Sequence, residues 1–213
     1  MVLDLGAATA GFSHALAERF GCLCHAVEAL PANYALIDEG VRVRKHHYAV
    51  TGSDGAVTLY ARDEGFAYGT LDGTGADADS AVEVEGITLD ALADRLGLDR
   101  IDPVKLDIEG AELDALDAAS NDLLGRCGQI TCEFHDFMAP EAGPRIAAIL
   151  ARMEGLGFRA IRFTKRFHGD VLFVNESAGL GRLEYLFART VLRNTRGLRR
   201  IAERAISTPS ASG

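Results

Sequence analysis

Short apolar runs alternate along the chain with longer stretches whose apolar residues recur at helical spacing. This alternation is typical of βαβ units and predicts an α/β fold, a doubly wound parallel sheet with helices on both faces. The predicted strands are Val2–Leu5, Cys22–Val27, Arg44–Val50, Val104–Ile108, Gln129–Phe134, Phe158–Phe163 and Asp170–Val174. The predicted helices are Gly11–Phe20, one that begins at Pro31, Leu89–Leu96, Glu109–Leu124 and Glu141–Leu156.

The last two predicted strands are joined by the short connection Lys-Arg-Phe-His-Gly. Strands joined this closely pair antiparallel, so the sequence predicts a terminal hairpin on an otherwise parallel sheet.

Residues 51–87 interrupt the pattern. Val57–Ala61 and Ala81–Val84 are predicted as short extra strands, and Gly65–Ser80 is a loop rich in Gly, Asp and Ala. We therefore expect an insertion at about 51–87, over one edge of the sheet, within a domain that spans 1–179.

The C-terminal part of the chain is rich in arginine. Leu180–Ile206 is predicted as a helical region, and residues 207–213 as a disordered tail. One interpretation is a helix that covers the sheet and exposes its arginines to water. The alternative, which we favour less, is an amphipathic helix that contacts a membrane surface or a partner.

Charge and cysteine usage narrow the function classes. The net charge of −9 argues against a nucleic-acid partner, because a phosphate backbone requires a basic surface. The four cysteines lack the paired spacing of a zinc site, and we predict no metal site. The sequence shows no signal peptide and no apolar run of about 20 residues, so we expect a reducing cytoplasm. The oligomeric state is left open.

The ends of the first two predicted strands carry candidate binding residues. Ligands of open α/β sheets bind beyond the carboxyl ends of the strands. Gly6 allows a tight turn there, and Gly11 allows the next helix to start close to a ligand. Glu28 is placed to accept hydrogen bonds from both hydroxyls of an adenosine ribose.

The dinucleotide fingerprint GxGxxG is absent, because residue 8 is Ala. The glycine missing there is the one that admits a pyrophosphate, so its absence favours an adenosine ligand without phosphates. A glycine turn that binds nothing is the alternative.

Four segments of the sequence form motifs in a fixed order along the chain. The most specific is the stretch from Val104 to Glu112, Val-Lys-Leu-Asp-Ile-Glu-Gly-Ala-Glu. The others are Val2-Leu-Asp-Leu-Gly-Ala-Ala-Thr-Ala-Gly11, Val27-Glu28-Ala-Leu-Pro31 and Ile130-Thr-Cys-Glu133-Phe-His135. Together these segments resemble the FkbM family of class I S-adenosylmethionine-dependent methyltransferases.

The resemblance implies a Rossmann-like, seven-stranded sheet of order 3-2-1-4-5-7-6 with strand 7 antiparallel. It also implies methyl transfer from S-adenosylmethionine, typically to a hydroxyl of a sugar, glycan or natural product. The residues then expected to bind the cofactor are Asp4, Gly6, Ala7, Thr9, Gly11, Phe12, Glu28, Ala29, Ala49 and Asp107.

The candidate catalytic residues are Asp107, Glu109, Glu133 and His135, which lie at or just after the tips of two strands that the resemblance makes neighbours. His135 is the candidate general base because imidazole titrates near neutrality, although a structural role is equally open. Asp107 and Glu109 are expected to bind the acceptor or the sulfonium region. A divalent metal held by Asp107, Glu109 and Glu133 is a less favoured alternative.

Two further residues receive interpretations of their own. Glu112 is interpreted as a buried acid that pairs with Lys105. His168, in the last hairpin, is interpreted as an exposed turn residue.

Three other functions stay open. They are N-methylation of an amine or protein side chain, a nucleotide-binding oxidoreductase, and a protein that binds the cofactor without catalysis.

The charge of the expected site bears on the methyl acceptor. An acidic cleft suits a neutral or cationic acceptor.

Overall fold

The computed structural model describes residues 1–64, 66–70, 81–134, 142–163 and 169–178. These residues form two sheets. The strands are β1 (Val2–Leu5), β2 (Cys24–Glu28), β3 (Val43–His47), β4 (Ala49–Val50), β5 (Gly55–Glu64), β6 (Phe66–Thr70), β7 (Ala81–Ile87), β8 (Val104–Leu106), β9 (Gln129–Glu133), β10 (Phe158–Arg162) and β11 (Asp170–Asn175). The helices are α1 (Gly11–Phe20), α2 (Pro31–Leu36), α3 (Leu89–Leu96), α4 (Glu112–Ala118), α5 (Asn121–Gly125) and α6 (Gly143–Gly155).

The main sheet has seven strands in the order β3-β2-β1-β8-β9-β11-β10. In this sheet β3, β2, β1, β8 and β9 run parallel to one another, whereas β11 is antiparallel to both β9 and β10. A seven-stranded mixed sheet with a terminal hairpin is thereby confirmed. The strand numbers differ from the predicted order, because β4–β7 belong to a second sheet and intervene between β3 and β8.

Helices cover the main sheet on both faces, so its central strands β1 and β2 are buried on both sides. Val2 and Cys24 pack with the apolar residues of α1, whereas Leu3, Leu5 and Val27 point into the larger core beneath α3–α6. This alternation follows the two-residue repeat of a strand.

The second sheet, of order β4-β7-β5-β6, contains the described part of residues 51–87. Ala49, Leu59 and Val84 from this sheet pack with Leu30, which follows β2. The second sheet is thereby held against the carboxyl ends of β2 and β3.

Part of the predicted loop Gly65–Ser80 is wrong, because Phe66–Thr70 is the strand β6, which pairs with β5. Two predicted boundaries are also wrong. The predicted strand Arg44–Val50 is divided, since β3 ends at His47 and β4 pairs with β7 in the other sheet. The predicted helix Glu109–Leu124 begins only at Glu112 and is broken at Ser120. The backbone explains why α4 starts late and ends early. Glu109 has a φ of +54°, which a helix does not allow. Ser120 is extended and caps the next helix, α5, by accepting a hydrogen bond from Leu123 N–H.

Several predicted features lie outside the described residues. They include His135, His168, the Arg-rich region 180–206 and the tail 207–213. Within the described ranges, none of the helices has the length and apolar character needed to cross a membrane.

Candidate active site

The turn between β1 and α1 is packed against the end of β8. Gly6 has a φ of +71°, a left-handed conformation that glycine adopts readily. A side chain at this position would overlap the carbonyl oxygen of Asp107. The N–H groups of Gly6 and Ala7 both donate to the carbonyl oxygen of Val27 at 3.0 Å. The turn is therefore fixed against both neighbouring strands, β2 and β8.

Glu28, at the end of β2, holds the same turn from the other side. Its Oε2 accepts a hydrogen bond from Ala8 N–H at 2.8 Å, and its Oε1 accepts one from Leu30 N–H at 2.9 Å. Burial raises the pKa of the Glu28 carboxyl, although hydrogen bonds from the backbone of Leu30, Ala8 and Ala29 and from the side chain of Asn33 act to lower it. The carboxylate is thus held in one fixed orientation.

Lys105 lies between two acids, one on each of two neighbouring strand ends. Its Nζ is 3.5 Å from Asp4 Oδ1 and 3.2 Å from Asp107 Oδ2, and it donates a hydrogen bond to Gly6 O at 3.0 Å. Asp4 is fully buried and accepts a hydrogen bond from Ser13 Oγ at 2.8 Å. Burial raises the pKa of Asp4, whereas Lys105 and Ser13 lower it. Asp4 thus stabilises the turn and α1 from inside the fold, and its contact with the cofactor stays a prediction.

The loop after β8 has an unusual backbone conformation. Glu109 has a φ of +54° and Gly110 one of +105°. Glu112, at the start of α4, accepts hydrogen bonds from Ile108 N–H at 2.9 Å and from Gly110 N–H at 3.0 Å. Glu112 is buried as predicted, but these hydrogen bonds join it to the backbone of the loop, and Lys105 forms its ion pairs with Asp4 and Asp107.

A cleft opens where these elements meet, at the carboxyl ends of β1, β2, β3 and β8. Its volume is about 940 Å³, including the mouth that opens to solvent. The residues that line it are Gly6, Ala8, Val27, Glu28, Ala29, Leu30, Asn33, Tyr48, Ala49, Val50, Thr51, Leu59, Asp107, Ile108, Glu109 and Ala111.

The structure brings six of the predicted site residues to this cleft. They are Gly6, Glu28, Ala29, Ala49, Asp107 and Glu109. The other predicted cofactor residues are placed around the turn. Asp4 and Ala7 are buried behind it, Thr9 and Gly11 are exposed, and Phe12 packs with the apolar residues of α1.

Glu133 is exposed at the end of β9, opposite Asp170 of β11. It is not among the residues that line the cleft. His135, its predicted partner in catalysis, lies outside the described residues. In the part of the chain that the structure describes, no group of three or more His, Cys, Asp or Glu side chains could hold a metal ion.

Sequence reasoning missed several of the lining residues. Tyr48, Val50 and Thr51 follow the end of β3, so the rule that ligands bind at strand ends could have found them. Leu59 comes from the second sheet, and its position depends on packing that no local pattern indicates. Tyr48 is also contacted by Arg95, whose guanidinium lies 5.1 Å from the ring centroid.

This combination of a doubly wound sheet, a glycine turn after the first strand and a buried acid after the second is typical of α/β domains that bind nucleosides. A family model, the methyltransferase FkbM domain, matches residues 4–160 of the 213. The chain therefore belongs to the FkbM methyltransferase family, as its motifs indicated. Neither the search of curated proteins nor that of solved structures produced a match.

The two glycines of the first turn should respond differently to substitution. We expect Gly6→Ala to lower the free energy of unfolding by at least ~2 kcal/mol, because the new methyl group overlaps Asp107 O and the φ is positive. Gly11→Ala should change it by less than ~1 kcal/mol, since Gly11 begins α1 and the space around it is open. Urea denaturation of both variants measures the difference, and equal losses would contradict this account of the turn.

Proposed function

We propose that this chain binds S-adenosylmethionine and transfers its methyl group to a hydroxyl oxygen of a sugar, glycan or natural product. The observation that carries the proposal is the buried Glu28 carboxylate, which lines the cleft while it is held by two backbone N–H groups. A fixed carboxylate at the end of the second strand is suited to bind the two hydroxyls of a ribose.

The residues of the cleft fit an adenosine. Gly6 leaves room beside Asp107, and Ala49, Val50 and Leu59 form an apolar wall. Glu28 would hold the ribose, and the apolar wall would hold the base. Asp107 and Glu109 would face the sulfonium end, where a carboxylate is electrostatically favourable.

The same turn argues against a dinucleotide and hence against an oxidoreductase. A pyrophosphate requires backbone N–H groups that are free to donate to it. Ala8 N–H instead donates to Glu28 Oε2, so a carboxylate already takes this donor and would repel a phosphate nearby. The proposal therefore favours a nucleoside without phosphates.

The bound cofactor supplies an electrophilic methyl group. The tasks of this chain are to place the acceptor in line and to remove the proton of its hydroxyl. Asp107 and Glu109 line the cleft and offer carboxylate oxygens to a hydroxyl, while Lys105 fixes the direction of Asp107. We retain His135 as the proposed general base. Glu133, two residues before it, is retained as a second proposed catalytic residue at the end of β9.

The proposed acceptor is neutral or cationic, because the cleft carries three carboxylates and Lys105 is already paired. N-methylation of an amine is the second candidate, since Asp107 and Glu109 would also attract a cation. A cytoplasmic location remains part of the proposal. It is supported by Cys24, Cys127 and Cys132, which are buried free thiols.

Substitution of Glu28 tests cofactor binding directly. We expect Glu28→Ala to weaken the binding of S-adenosylhomocysteine at least about tenfold, because the ribose loses a charged acceptor. Calorimetry gives the affinity, and Glu154→Gln on the exposed face of α6 serves as a control that should bind normally. Unchanged affinity in folded Glu28→Ala protein would refute the proposal.

The pH dependence of binding gives an independent test. Because burial raises the pKa of Glu28, its carboxylate takes up a proton at a pH above the ordinary value of 4.5. We therefore expect the affinity for S-adenosylhomocysteine to fall as the pH drops through this range, with a weaker dependence in Glu28→Gln. The folded state binds this proton more tightly than the unfolded state, so protonation of Glu28 itself stabilises the fold as the pH falls. A loss of affinity there is consequently not explained by acid unfolding through Glu28.

Oxygen and nitrogen acceptors are distinguished by the need for a base. With a hydroxyl acceptor we expect His135→Ala and Glu133→Gln each to lower kcat about 10²–10⁴-fold. With an amine acceptor we expect a smaller fall in kcat, because a neutral amine attacks the methyl group without prior removal of a proton. The rate of transfer of a radiolabelled methyl group to panels of hydroxyl and amine compounds measures kcat for each variant with each class of acceptor. Mild effects in both variants on an active hydroxyl acceptor would contradict the assignment of a base at the end of β9.

A further inference from the structure

The loop after β8 adopts a conformation that its sequence does not favour. Glu109 has a φ of +54°, in the left-handed region that side chains other than glycine rarely adopt. Asp107, Ile108, Glu109 and Ala111 of this loop all line the cleft. A strained backbone at such a place persists only when its surroundings hold it there.

The side chain of Glu112 supplies that support. Its Oε1 accepts hydrogen bonds from Ile108 N–H at 2.9 Å and Gly110 N–H at 3.2 Å, and its Oε2 accepts one from Gly110 N–H at 3.0 Å. The carboxylate therefore binds the N–H groups on both sides of Glu109. Hydrogen bonds to an ionised acceptor are stronger than neutral ones, which makes this a firm attachment.

Glu112 is also placed where it cannot act on a ligand itself. It is 1% exposed and, unlike its neighbours in the loop, is not among the residues that line the cleft. The other end of the loop is held by Lys105, whose Nζ is 3.2 Å from Asp107 Oδ2. The loop is thus fixed at both ends by charged groups.

We propose that Glu112 is a positioning residue, which holds the loop so that Asp107 and Glu109 present their carboxylates to the cofactor and the acceptor. This inference rests on the proposed function, because it assigns a purpose to the loop geometry. Loss of Glu112 should weaken ligand binding although no atom that touches the ligand is removed.

Glu112→Gln is the sharpest variant. The amide keeps one oxygen acceptor but turns an NH₂ group towards the loop, where a donor then faces a donor. Asp90→Asn is a matched control, because Asp90 accepts hydrogen bonds from Ser120 N–H at 2.8 Å and Ser120 Oγ at 2.5 Å, away from the cleft. Both substitutions convert a carboxylate that holds a backbone N–H into an amide.

The measurement is the affinity for S-adenosylhomocysteine by calorimetry, with denaturation curves to establish that each protein is folded. We expect Glu112→Gln to lose about tenfold or more in affinity, and Asp90→Asn to lose stability but retain the affinity of the original protein. Normal affinity in Glu112→Gln, or an equal loss in Asp90→Asn, would overturn the inference. If the unsubstituted protein fails to bind, the proposed function itself is wrong, so the two failures are distinguishable.

A double substitution keeps the test decisive if Glu112→Gln does not fold. Glycine adopts a positive φ without strain, so Glu109→Gly should reduce the dependence of the loop on Glu112. We expect the double variant to fold where Glu112→Gln alone does not, and, where the single variant folds, the fall in Tm caused by Glu112→Gln to be smaller in the Glu109→Gly background. Equal falls in the two backgrounds, or a double variant that also fails to fold, would overturn the inference.

Discussion

The close approach of Gly6 to the carbonyl of Asp107 is the constraint on which the site depends. It brings the β1–α1 turn and the β8 loop together, and a side chain at residue 6 would separate them. Glu28 and Lys105 then stabilise the contact from opposite sides, because each belongs to an adjacent strand and its side chain is hydrogen-bonded to the backbone of the turn. The cleft is the space that this junction leaves at the carboxyl edge of the sheet.

Much of the fold could be predicted because buried strands and amphipathic helices differ in their apolar repeat. β1, α1 and α3 match their predicted limits, since each is followed directly by a glycine and α3 is preceded by the capping residue Thr88. Ala49 and Val50 were assigned to the wrong sheet. Their apolar character shows that they are buried, but the strand with which they pair depends on distant residues.

The site could be predicted less completely. The strand-end rule brought Glu28, Asp107 and Glu109 to one cleft, because it depends only on strand order. The partners of Lys105 required the pairing register, in which Asp4 lies directly opposite Lys105. The left-handed conformation of Glu109 has no local signal, since glutamate does not favour a positive φ and the hydrogen bonds of Glu112 to the N–H groups on either side of it depend on the folded loop.

The second sheet is attached to the rest of the molecule by very short connections. Tyr48 alone separates β3 from β4, and Thr88 alone separates β7 from α3, where its hydroxyl accepts a hydrogen bond from Ala91 N–H. Such connections leave little length for a hinge. The wall that Leu59 contributes should therefore stay in place when the proposed nucleoside ligand arrives, so that selection on this side of the cleft would depend on fixed shape rather than on closure over the ligand.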